Sequence, residues 1–447
     1  MLNLKKNYEG RLTPVQILVL GFFSAILLGS FLLMLPISSK SRTITPFIDA
    51  LFTATSAVCV TGLVTLNTAE HWSYFGSTVI MLLIQVGGLG FMSFATLFAL
   101  LLGKKITLKE RLIMQEAMNS FSLQGLVKLS KYILIFTFSV EGVGALFLAT
   151  KFIPEYGLWK GMYFSIFHSI SAFCNAGFDL IGNSLVPYAN NTVIILTISA
   201  LIIIGGLGFA VWAEIYNYKG VKKLSVHSKL VITMTLILLI GGWFFMFILE
   251  ASNPETLRSM SVKGKLLNSL FASVSPRTAG FNSISTSGMT LGGITLTMIL
   301  MFIGGSPGGT AGGIKTTTTG ILLMTVICII KNKEDTTVFG RRITKGLVYK
   351  AFAISTIAMG VVIIDTILLS ITENGASLEY ILYEVVSAFG TVGLTLGLTS
   401  KLTAMGKIII ALTMYIGRVG PLTLFLALSS KKKGNSIKYP EGKILVG

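Results

Sequence analysis

The sequence is poor in the side chains on which soluble catalysis depends: 447 residues hold three histidines, three cysteines and 18 carboxylates, and charged residues make up only 12%. His71, His168 and His227 are far apart and belong to no HExxH, nucleophile-elbow or paired-acid pattern, which argues against an enzyme. Cys59, Cys174 and Cys328 are odd in number, sit among apolar neighbours and lack metal-ligand spacing. Neither a disulfide framework nor a zinc site follows from them. The shortage of acids leaves a net charge of +18, a balance that in a soluble chain would suggest nucleic acid.

The distribution of that charge argues otherwise. Hydrophobic residues make up 53% of the chain, in runs far longer than a soluble core helix requires. Eight candidate spans can be read near 13–37, 77–103, 126–152, 192–216, 226–250, 292–330, 346–371 and 405–429. Twenty-four of the 36 Lys and Arg residues fall at the N-terminus, in 103–131, 219–229 and 331–350, and after 430. These are both ends and every second connection, so the positive-inside rule predicts a cell-membrane protein with both termini cytoplasmic. Lys5, Lys6 and Arg11 lead into a full-length apolar stretch with no cleavage pattern, so no signal peptide is expected. The basic excess is expected to meet anionic membrane lipid, not nucleic acid.

Four related segments organise the chain: TPFIDALFTATSAVCVTGLVT, GMYFSIFHSISAFCNAGFDL, KLLNSLFASVSPRTAGFNSI and EYILYEVVSAFGTVGLTLG. Each lies between two candidate spans. The returning spans carry a second signature, QVGGLGF, IIGGLGF, FIGGSPG and YIGRVGP, whose first glycine follows the earlier one by 25, 28, 24 and 24 residues. The predicted unit is span, short pore helix, filter, span, in four parallel repeats over 12–105, 125–220, 225–332 and 343–431. The expected fold is therefore all-α and polytopic, with eight transmembrane helices and four re-entrant pore helices around a central pseudo-fourfold pore.

Within bilayer depth, non-helical backbone survives only where it lines a water-filled cavity or is buried in protein. The candidate filter comprises Val60, Thr61 and Gly62; Asn175, Ala176 and Gly177; Thr278, Ala279 and Gly280; and Thr391, Val392 and Gly393. Glycine lets successive carbonyls turn towards an ion, and helices over roughly 46–60, 161–175, 264–276 and 377–390 would aim partial negative charge at it. Asp179 follows Gly177, but Val64, Asn282 and Thr395 occupy the matching places, so no acidic ring forms. Carbonyl dipoles without fixed charge suit a monovalent cation, with K+ as the first candidate. Asp179 itself is expected to be a hydrogen-bonded loop carboxylate. No organic cofactor is expected.

The third repeat differs. Gly304, Gly305, Ser306, Pro307, Gly308, Gly309, Thr310, Gly312, Gly313, Lys315 and Thr316 fall in the middle of a span, where glycine weakens a helix and proline breaks it. The sixth span is expected to be broken there and to form a gate. Arg418 lies inside the last span, where the first and second repeats have Gly88 and Gly206. A charge at that depth needs a carbonyl-rich or anionic partner, so Arg418 is predicted to hold the loop and raise a barrier to cations. Lys315 is read as either a gate residue or a snorkelling lysine. Arg277, three residues before Gly280, is expected to pair and staple pore helix to loop, and Glu141, Asp365 and Glu384 to pair between helices.

The ordered set VTGL, NAGF, RTAGFNS, FGTVGLT, IQVGGLGFM, GKKITLKER and IGRVGPLT, with the Gly/Ser/Thr loop at 304–318, resembles the Trk/Ktr/HKT superfamily of potassium transporters. Within it the chain resembles a Ktr-type membrane subunit of the KtrB/KtrD kind. The resemblance covers essentially the whole chain. It implies potassium uptake through one filter, a gating loop at the broken span, a homodimer of two separate pores, and control by a cytoplasmic nucleotide-binding ring of RCK type (KtrA/KtrC-like). It also implies Na+ as an activator in many members. Leu63, Phe178, Phe281 and Leu394 follow the filter glycines in place of the TVGYG continuation, which implies fewer ordered ion sites. An ion-coupled secondary carrier is the alternative; inverted repeats would favour it, and these repeats run parallel.

Overall fold

The structure is a computed structural model and describes residues 13–90, 108–117, 126–217 and 224–428. The basic stretches at both termini, together with 103–107, 118–125 and 218–223, which carry part of the charge argument for orientation, lie outside the described residues. The described part is mostly helical, with a single short hairpin, Thr337–Val338 against Arg341–Arg342.

Among the described residues, four helices are long and apolar enough to cross a membrane: Pro14–Met34, Leu126–Tyr156, Val226–Glu250 and Lys345–Thr372. We call these the outer helices. Each precedes a shorter helix that ends just before a filter segment: Phe47–Cys59, Leu158–Phe173, Val262–Val274 and Leu378–Gly390. These short helices, here the pore helices, carry the small and hydroxyl residues of the repeated segments and are buried along most of their length. Their starts follow local chemistry. Ser261 accepts a hydrogen bond from the Gly264 amide, whereas Pro46 and Ser377 precede their helices without a side-chain cap. The helices that follow, here the inner helices, begin at Tyr74, Thr192, Leu291 and Ala404. Ser73, Asn191, Thr290 and Thr403 cap them with side-chain oxygens.

The expectation that the sixth span alone is broken needs correction: among the described residues every inner helix stops at its glycine signature. The first ends at Leu89, with Gly90 at φ +80°; the last ends at Val419, with Gly420 at φ +93°. The second, Thr192–Gly206, turns by 95° into Phe209–Tyr216 through Gly208 at φ +93°. The third, Leu291–Phe302, gives way to non-helical chain before Thr316–Ile330 resumes. The sixth residue of the signature, glycine in three of the four (Gly90, Gly208 and Gly420), turns the chain where an L residue would be strained. Periodicity alone does not reveal this, since the flanking residues are uniformly apolar.

The packing order is cyclic. The inner helix from Tyr74 lies against the pore helix Leu158–Phe173, that from Thr192 against Val262–Val274, that from Leu291 against Leu378–Gly390, and that from Ala404 against Phe47–Cys59. Each pore helix also packs on its own outer helix. Lys407 and Asp49 form a 2.6 Å ion pair across the contact that joins the last inner helix to the first pore helix.

Candidate ion pathway

Four filter segments share one backbone conformation. Val60, Asn175, Thr278 and Thr391 take φ of +58°, +60°, +72° and +50°, and Gly62, Gly177, Gly280 and Gly393, two residues on, are left-handed too. For the β-branched Val60, Thr278 and Thr391 this costs on the order of 1–3 kcal/mol each, and only a surrounding structure that over-determines the loop sustains it. The amides show how. Thr61, Ala176 and Val392 donate to the carbonyls of Ser56, Ser171 and Ser387 at 2.7–2.8 Å, and Ala279 donates to that of Ser275 at 2.9 Å. The N–H groups thus turn back onto the pore helices. The carbonyls of Thr61, Ala176, Ala279 and Val392 turn the other way, and among the described residues no donor reaches them.

Each of those carbonyl oxygens faces a filter glycine of another segment. A Cβ built on Gly62 would meet Ala176 O, one on Gly177 would meet Ala279 O, one on Gly280 would meet Val392 O, and one on Gly393 would meet Thr61 O. The contacts close on themselves, so four bare carbonyls gather at one constriction. Any side chain in place of these glycines would fill it. The oxygens suit a dehydrated cation and offer nothing to an anion.

Serines brace the loops from behind. Ser56 and Ser387 accept from the amides of Gly62 and Gly393 at 3.0 and 3.1 Å, and Ser171 donates to Phe178 O at 2.8 Å. Ser275 does the same for Phe281 O. Sequence reasoning named none of these residues, although a serine stands six positions before the filter glycine in three of the four aligned segments.

The chain between Phe302 and Thr316 is laced onto the break in the second inner helix. Ser306 N and Thr310 N donate to the carbonyls of Gly206 and Gly205 at 2.9 and 3.2 Å, and Phe209 N donates to Gly308 O at 2.9 Å. Thr310 Oγ1 reaches Phe173 O, the end of a pore helix, at 3.1 Å. Ser306 and Thr316 join hydroxyls at 2.9 Å, while Thr316 N closes on Gly305 O at 3.0 Å. Backbone groups left open by two helix ends satisfy each other, the condition for irregular chain at membrane depth. Gly304 and Gly309 admit neighbouring carbonyls, Gly313 approaches Gly390 O, and Gly312 lies against the side chain of Thr391 with no room for a Cβ. Pro307 O sits at Gly208.

Arg418 binds this loop. Its Nη1 donates to Thr310 O and its Nη2 to Gly87 O and, at 3.3 Å, to Gly88 O. One guanidinium thus ties the loop to the glycine signature of the first inner helix. Lys315 does not snorkel; its Nζ donates to Ala311 O at 2.7 Å and to Gly312 O at 3.4 Å. Glu141 accepts from Gln85 at 3.2 Å, Asp365 from Thr413 at 2.7 Å, and Glu384 from Thr395 at 2.7 Å and from Thr399. Asp179 caps the amides of Ile181 and Gly182 at 2.9 and 2.6 Å. His168 is fully buried between Phe164 O and the Leu180 amide. Arg277 departs from expectation. It is buried, yet among the described residues no acceptor reaches its guanidinium.

Membrane-length apolar helices around a constriction of bare carbonyls define an integral membrane transport protein. Residues 7–439 match the TrkH family, described as a cation transport protein, and the chain belongs to that family. It is a transporter and not an enzyme. Among relatives, it is 48% identical to the potassium/sodium uptake protein NtpJ of Enterococcus hirae, over 99% of both chains. It is 45% identical to the Ktr system potassium uptake protein B of Bacillus subtilis, over 98% of this chain and 97% of that one. The fold matches the crystal structure of the potassium transporter TrkH from Vibrio parahaemolyticus with a TM-score of 0.74, covering 95% of this chain and 86% of the other at 18% identity.

Proposed function

We propose that the protein takes up K+ across the cell membrane through a channel-like path. In this reading Val60 to Gly62, Asn175 to Gly177, Thr278 to Gly280 and Thr391 to Gly393 are the selectivity filter. The observation that carries it is the closed cycle of contacts between each filter glycine and a free carbonyl of another segment. The cyclic packing of inner helices on pore helices supports four repeats about a pseudo-fourfold axis, with limits at 12–105, 125–220, 225–332 and 343–431. The names of the relatives supply the ion: potassium for the Ktr system proteins, potassium and sodium for NtpJ. Na+ is accordingly either an activator or a second permeant ion.

Residues 304–316 act as the gate. Gly312 against Thr391 and the Arg418 bonds to Thr310 and Gly87 hold the loop across the path in the closed state. A Ktr-type relation supports a homodimer with both termini cytoplasmic and control in trans by a nucleotide-binding RCK-type ring.

The test is flux of K+ or Rb+ in proteoliposomes holding the purified protein, with and without candidate cytoplasmic subunits. Saturable flux without proton coupling is expected, and Gly62→Asp or Gly393→Asp in folded protein should abolish it. Strict coupling to protons would overturn the channel reading in favour of a carrier.

A further inference from the structure

Behind the third filter strand lies a small cavity with room for about one water-sized particle, walled by Ile202, Leu239 and Val274 and reached by Arg277, Thr235 and the backbone of Gly305. Two of its lining residues each hold a buried polar atom without a partner. Arg277 is only 7% exposed and its Nε is buried without an acceptor; Thr235 Oγ1, 4% exposed, is likewise unpaired. Among buried threonines of the long helices, only Thr137 shares this lack of a partner in the described residues, and it does not line the cavity. Thr325, Thr366 and Thr413 each return their hydroxyl to a carbonyl four residues back in the same helix.

The nearby carbonyls of Gly206 and Gly305 accept from the Ser306 and Thr316 amides and make no hydrogen bond to Arg277. No Asp or Glu lines the cavity. Arginine cannot shed its proton, and a buried charge without a counter-charge is among the costlier features a protein can hold. A water molecule would satisfy one N–H and leave the charge; a monatomic anion satisfies both and also accepts from the Thr235 hydroxyl.

We propose that this cavity is a binding site for a small monovalent anion, chloride in size and charge, held by Arg277 and Thr235. Sulfate and phosphate are too large for it. Arg277 immediately precedes Thr278, so the bound anion offsets a positive charge one residue from the filter and favours a cation there. That last consequence rests on the ion-path reading above; the binding site itself does not.

The test uses the full chain. In crystals grown with bromide in place of chloride, an anomalous peak is expected between Arg277 Nε and Thr235 Oγ1. The purified protein should show a saturable rise in thermal stability with chloride or bromide over gluconate at equal ionic strength. Thr235→Val should weaken the half-saturating chloride concentration roughly tenfold, the loss of one hydrogen bond to a charged group. Arg277→Gln should remove the chloride dependence; if that variant does not fold, Thr235→Val carries the test. Absence of the bromide peak, or equal melting curves in chloride and gluconate, would overturn the site whether or not the protein proves to transport K+. In proteoliposomes, exchanging chloride for gluconate should lower K+ flux several-fold.

Discussion

Two kinds of residue stand out for what they lack. The first glycine of each inner-helix signature lacks room: a Cβ on Gly417 would collide with Phe389 O, as one on Gly205 would with Phe173 O, whereas one on Gly360 meets nothing within 4 Å. Gly417→Ala should therefore destabilise by roughly 1–3 kcal/mol as neighbours are forced apart. Gly360→Ala should be neutral or stabilising by up to about 1 kcal/mol, since alanine is the better helix former. Thermal unfolding of the two purified variants checks the contrast, and equal shifts would show that the close approach does not matter. Arg418 lacks any acidic partner among the described residues and relies on carbonyls of two other elements. Arg418→Gln should free the loop and raise unstimulated Rb+ flux several-fold; unchanged or lower flux in well-folded protein would refute its role as a latch. Arg418→Lys should not restore the closed state, because a point charge cannot fork to Thr310 and Gly87 together.

At the scale of elements, each pore helix works as a bracket for the filter that follows it. Its last carbonyls absorb the filter amides, and a serine near its end fixes the loop, which is how Val60, Thr278 and Thr391 remain in a conformation they would otherwise leave. Ser387→Ala leaves the Gly393 amide without its partner, a loss of about 1–3 kcal/mol local to the filter. The expected result is retained folding with K+ over Na+ discrimination reduced several-fold, measured by flux under competing Na+. A variant with wild-type discrimination would show that the brace is redundant. The glycine signature and the 304–316 loop form a second bracket, in which the ends of two broken helices complete each other.

For the molecule as a whole, closing the ring brings the first pore helix and the last inner helix together. Asp49 accepts from Lys407 at 2.6 Å and from Thr65 at 2.8 Å, with the paired side chains only 14% and 18% exposed. Between the values for surface and fully buried pairs, breaking it should cost roughly 1–3 kcal/mol. A double-mutant cycle of Asp49→Asn and Lys407→Met on thermal stability should return a coupling energy of that order. Additive effects would mean that the first and last segments are held by apolar packing alone.

By itself the sequence determined the class of the protein, the order of its four related segments and the place where the third inner helix is interrupted, because composition, repeat and helix-breaking chemistry are local properties. Gly62, Gly177, Gly280 and Gly393 could be named without coordinates, and so could Arg418 as a charge that must find carbonyls. What it left hidden was relational. That the second inner helix turns at its glycines as the third is interrupted at its own, that Lys315 folds onto Ala311 and Gly312, and that Arg277 finds no acceptor depend on which backbone groups the neighbouring segments leave free. Only the tertiary structure decided these, since a hydrogen-bonding group deep in a membrane protein takes its partner from whatever the packing brings within 3 Å.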